Sequence, residues 1–71
     1  MVNTREIKAR MVSLGLTQPI IAERMGMNVG TLNFKLNNRR RFYIDELVEL
    51  RDILKLKTAE EQKRLLGVAL S

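Results

Sequence analysis

The sequence predicts an all-α protein, a compact bundle of about five short helices. Three observations predict it. Apolar residues recur at three- and four-residue spacing in one segment after another. Glycine, proline and asparagine interrupt those segments where helices would start or stop. Sustained period-two alternation is missing, and the aromatic residues are one tyrosine and two phenylalanines, too few for a strand-rich chain.

The first helix lies in "NTREIKARMVSL", with Ile7, Met11 and Leu14 on one face, Asn3 or Thr4 as its N-cap and Gly15 as its terminator. Thr17 caps the second, and Pro19 sits in its first turn, where a missing N–H is harmless. Ile21, Ala22 and Met25 make its inward stripe before Gly26, a left-handed C-cap. Asn28 caps the third helix. With Leu32 at the centre of its buried face, Leu36 and Val29 fall close by, and Gly30, Asn33, Phe34 and Asn37 fall opposite. "NNRRRF" cannot continue an amphipathic stripe, so the helix ends there. "YIDELVELRDIL" forms the fourth, with Asp45 and Glu46 favourably placed in its first turn and Leu47, Leu50 and Leu54 facing the core. In the fifth, "TAEEQKRLLG", Thr58 and Glu61 have capping-box spacing and Gly67 ends the run. Leu65, Leu66, Val68 and Leu70 offer more apolar surface than one short helix hides. They finish the core, make a dimer seam or form a patch for another protein.

Seventy-one residues make a single domain spanning 1–71, one that buries only about 60% of its unfolded surface. A hydrophobic content of 45% is that of a folded chain rather than a disordered one. Cysteine and histidine are both absent, which removes thiolate metal sites, disulfides and the commonest general base. No enzyme, metal or cofactor is expected. No apolar run approaches the ~20 residues that span a bilayer, so a cytoplasmic protein without membrane contact is expected. The net charge of +5 is unevenly placed. Residues 1–43 carry eight Lys/Arg against two acids, a net of +6, while residues 44–71 carry five against six, a net of −1. Such asymmetry points to a polyanion on one side of the molecule.

The segment "LTQPIIAERMGMNVGTLNFKLNN" resembles the helix-turn-helix of phage repressors and Cro proteins. Leu16-Thr17-Gln18 matches the opening of the motif's first helix, Ala22 the small residue at the helix crossing, Gly26 the turn and Met27 the apolar corner plug. Leu32 matches the inward anchor of the recognition helix. Helices crossing steeply over so short a turn need a small residue at closest approach and a glycine for positive φ. Where the family pattern places its next buried residue, this chain has Lys35, with Leu36 one step later. The resemblance implies a lambda-repressor-like DNA-binding domain. The chain's length implies a Cro-like regulator acting at a lysis–lysogeny switch inside a bacterial host, with double-stranded operator DNA as partner and possibilities of a homodimer or a complex with a phage repressor.

On that reading Asn33 contacts an adenine, since an asparagine amide can bond N6 and N7 together. Phe34 either meets a thymine methyl or packs on a loop, and Asn37 either reaches a base or ends the helix. Gly30 lets the helix start approach DNA closely. Gln18 resembles the family's phosphate-clamping glutamine, and Asn28 is an N-cap that can also touch phosphate. Arg39, Arg40 and Arg41 are the clearest phosphate contacts, with Lys35 as a candidate fourth. Thr17, Val29 and Asn38 complete the candidate DNA-contacting set, with the alternative that Asn38, like Asn37, simply ends the helix. Arg5, Lys8 and Arg10 read as ordinary surface. A rival from another class is an antirepressor that binds a second regulator and alters its DNA contact. RNA binding is disfavoured by the shortage of aromatic residues for base stacking.

Overall fold

The computed structural model describes residues 1–70 and folds them into five α-helices, with no strand among them. These are α1 (Thr4–Leu14), α2 (Gln18–Met25), α3 (Val29–Leu36), α4 (Ile44–Ile53) and α5 (Ala59–Leu66).

The starts follow the expected caps. Asn3, rather than Thr4, caps α1, its Oδ1 accepting from the Glu6 N–H at 3.1 Å. Thr4 is already helical, and its hydroxyl donates to the carbonyl of Leu36 at the far end of α3. Thr17, Asn28 and Thr58 cap α2, α3 and α5. The Glu61 carboxylate reaches past the cap itself and accepts from the Lys57 N–H at 3.2 Å. The helix ends share one device. After α1, α2, α3 and α4 a residue at positive φ (Gly15, Gly26, Asn38, Lys55) turns the chain. The N–H of the next residue then bonds back five residues, as in Leu16 to Met11 and Met27 to Ala22.

Helix α2 packs most extensively against α3, α1 lies on α5, and α4 touches both α2 and α5. Ile7, Ile21, Leu32, Leu36, Leu50 and Leu54 are completely enclosed where these faces meet. Each such side chain contributes roughly 1.5–3 kcal/mol by leaving water. Leu14, expected in the α1 stripe, is only half-buried. The C-terminal leucines finish the core: Leu65 and Leu66 are buried, Leu70 packs against the cluster, and only Val68 stays exposed. Buried Gln62 holds this tail in place, donating to the Leu56 carbonyl at 3.0 Å and accepting from the Leu70 N–H at 2.6 Å. Arg10 is not ordinary surface. Its guanidinium caps the end of α4, bonding the carbonyls of Leu54 and Lys55 at 2.9 Å each, with the Glu61 carboxylate 3.7 Å away. The radius of gyration, 10.8 Å, matches the ~11 Å expected of a single packed domain this long. Among the described residues no helix is long and apolar enough to cross a membrane.

Candidate nucleic-acid interface

Helix α3 is eight residues, a rod of about 12 Å, comparable to the width of the B-DNA major groove. Its inward side is Leu32, Lys35 and Leu36. Its outward side is Val29, Asn33 and Asn37 at four-residue steps, flanked by Phe34, and all four are exposed. Val29 thus departs from the expected buried stripe: at 44% exposure it stands at the helix start on the outer surface.

Two of the candidate residues meet directly. The Asn33 amide donates to Oε1 of Gln18 at 3.2 Å, joining the first position of α2 to the middle of α3. This bond leaves the Asn33 side-chain oxygen and the Gln18 amide nitrogen available to other partners. Asn28 is engaged as an N-cap, accepting from the N–H groups of Gly30 and Thr31 at 2.7 and 3.4 Å. Thr17 is engaged likewise, accepting from the Ile20 N–H at 3.4 Å. Gly30 has a local reason to be glycine, because a Cβ there would stand 3.0 Å from Asn28 Oδ1 and crowd the cap. Asn37 ends the helix, its amide folding back onto the Asn33 carbonyl at 2.9 Å.

Asn38 ends the helix rather than standing free for DNA. It adopts a left-handed conformation, φ 61°, and its side chain pairs with the backbone of Val2 in both directions. The Val2 N–H donates to its Oδ1, and its Nδ2 donates to the Val2 carbonyl, each at 2.9 Å. Both functional atoms of the amide are therefore committed. The N-terminal residues are strapped down further by a bond from the Asn3 N–H to the Leu65 carbonyl at 2.8 Å. Gly67 packs so closely under the Met1 carbonyl that a Cβ would overlap it. Val2 is not among the residues that helical spacing singles out, yet it is buried. The signal for it is its place before the Asn3 cap, with the first core residue of the helix, Ile7, four residues after that cap (the spacing of a hydrophobic staple).

Lys35 is removed from the candidate phosphate contacts. Its side chain is enclosed, with Nζ 2.6 Å from Glu46 Oε1 and 4.7 Å from the centre of the Tyr43 ring. Glu46 also accepts from the Tyr43 N–H at 2.9 Å, which caps α4. Burial alone pushes the Glu46 carboxyl upward. The hydrogen bonds from Lys35 and Tyr43, with the lysine charge, outweigh that and hold it below its ordinary range. Position 35 is thus a buried position filled by a lysine whose charge is neutralised in place.

The strap and the α3 terminus lead directly into Arg39, Arg40 and Arg41. All three are exposed, and among the described residues no carboxylate lies within ion-pair distance of any of them. Only the start of the run is fixed, through a bond from the Arg39 N–H to the Phe34 carbonyl at 2.8 Å. Three unpaired guanidiniums thus stand beside a helix whose outer face carries amides and no acid. No family model, curated protein or solved structure matches this chain.

Proposed function

We propose that this chain is a sequence-specific DNA-binding transcriptional regulator of the Cro-like type, acting at a phage lysis–lysogeny switch, with α3 as the helix that enters the major groove. One observation carries the reading: an exposed, acid-free α3 face whose Asn33 is hydrogen-bonded to Gln18 runs directly into three arginines without ion-pair partners among the described residues. Base edges are read by amides, and phosphates are held by guanidiniums. Asn33 supplies sequence preference, with Val29 and Phe34 offering apolar contact to thymine methyls. Gln18 and the arginine run set register on the backbone. Thr17, Asn28 and Gly30 act through helix geometry, by keeping the α2 and α3 starts in shape. No catalytic step enters this reading.

The test is a fluorescence-anisotropy titration of the duplex flanking the chain's own gene, at two salt concentrations and with excess unrelated DNA. Saturable binding that survives the competitor is expected. Binding erased by the competitor would refute sequence-specific recognition. In that event the antirepressor reading takes its place. The observation favouring it is the neighbouring pair Tyr43 and Ile44, 70% and 66% exposed, an apolar surface suited to a protein partner.

A further inference from the structure

Between the N-terminal strap and the arginine run lies a groove of about 440 Å³, within the size range of ligand sites. Buried Val2, Leu47 and Leu66 form its base, and exposed Arg39, Arg40 and Arg41 form its rim. The base is apolar and concave; the rim carries three positive charges without ion-pair partners among the described residues. We infer that this groove is a docking site for an acidic peptide segment bearing an apolar anchor, and that its occupation and DNA binding are mutually exclusive.

The occupant follows from the two-part lining. A phosphodiester backbone satisfies the rim and leaves the base empty. A small free anion does the same. A bilayer needs apolar groups that protrude, and these are recessed. An acidic segment with one or two large apolar side chains fills the base and neutralises the rim at once. Its carboxylates take bidentate bonds from guanidiniums in the way phosphates do. The same arginines cannot serve both partners, so an acidic partner would silence the DNA contact. The exclusion rests on the DNA-binding reading; the peptide site does not.

The experiment titrates the full chain, labelled for amide and methyl NMR, with the blocked peptide EDLFDE and with EDGGDE, which has the same charge and no anchor. Expected are shifts at the Val2, Leu47 and Leu66 methyls together with the Arg39–Arg41 amides, and binding of EDLFDE at least about fivefold tighter than EDGGDE. Arg40→Ala with Arg41→Ala, both exposed and outside any ion pair among the described residues, should weaken EDLFDE about tenfold or more while leaving the rest of the spectrum in place. Equal affinity for the two peptides, or shifts confined to the arginines, would overturn the site and leave only counterion attraction. Addition of duplex DNA should displace the bound peptide. A ternary complex would overturn the exclusion. The peptide titration contains no DNA, so it tests the groove even in a chain that fails to bind DNA.

Discussion

Lys35 and Glu46 are tolerated in a largely apolar setting because each neutralises the other and because Glu46 also closes the first turn of α4. Breaking such a pair from one side strands the remaining charge. Lys35→Ala should therefore destabilise the protein by about 3 kcal/mol. Replacing both partners, Lys35→Met with Glu46→Gln, should cost clearly less than the sum of the single changes, as read by urea denaturation. The pair also sets a pH dependence. Glu46 is held below its ordinary value when folded, so its contribution is present above the unfolded value of about 4.3. It is lost as pH falls through the folded value. The gap in Tm between the natural chain and Glu46→Gln should be widest near neutral pH and close as the pH falls below the ordinary carboxylate range. A gap independent of pH would mean that the carboxylate's charge contributes nothing. On the proposed DNA-binding reading, Asn33 carries function at the same scale. Asn33→Ala should weaken binding to the preferred duplex by about 1–3 kcal/mol and leave non-specific binding nearly unchanged, checked by anisotropy on both DNAs.

The five helices repeat one pattern of cap, apolar stripe and left-handed terminator, and that pattern explains what the residues alone made legible. Gly15, Gly26 and Gly67 announce their turns because glycine alone adopts positive φ without strain, and all three do so here. Asn3, Thr17, Asn28 and Thr58 announce the starts. Lys55 gives no such signal, and Asn38 gives only the weaker one of asparagine's tolerance for the left-handed region. Their left-handed conformations are offset by contacts with residues 36 and 45 positions away: Asn38 by its double bond to Val2, Lys55 by Arg10 on its carbonyl. Local spacing does not encode such partners, and the same blindness hid the Lys35–Glu46 pair and the roles of Asn38 and Arg10. The two positions should respond oppositely to glycine. Lys55→Gly keeps every backbone bond and removes the strain, so it should stabilise the protein by about 0.5–1 kcal/mol. Asn38→Gly removes the same strain but frees Val2 N–H and C=O in a partly buried place, so it should destabilise by about 1 kcal/mol. Thermal denaturation of the two variants side by side decides this. Equal stabilisation would mean that the strap is not held by Asn38.

Across the whole molecule, charge is sorted as the fold is. Three of the six acids of residues 44–71 are held by internal partners: Glu46 by Lys35, Asp52 by Arg51 and Glu61 by Arg10. Glu6 is held by Arg64. The arginine run is left as an unscreened positive edge next to α3. A polyanion meeting that edge releases about 0.9 counterions per phosphate neutralised, so the salt dependence of binding counts the contacts. On the proposed reading, with one phosphate per exposed guanidinium, Arg39→Ala with Arg40→Ala should make the slope of log K against log salt shallower by roughly 1.8. Lys35→Met also removes one positive charge from the chain. Its charge, however, lies inside and is already matched by Glu46, so the variant should lose stability while keeping the natural slope within about 0.3. Flattening by about 0.9 in Lys35→Met, half that of the double variant, would mean that net charge, rather than the placement of the arginines, governs association. A slope untouched by the double arginine variant would move the phosphate contacts off this edge altogether.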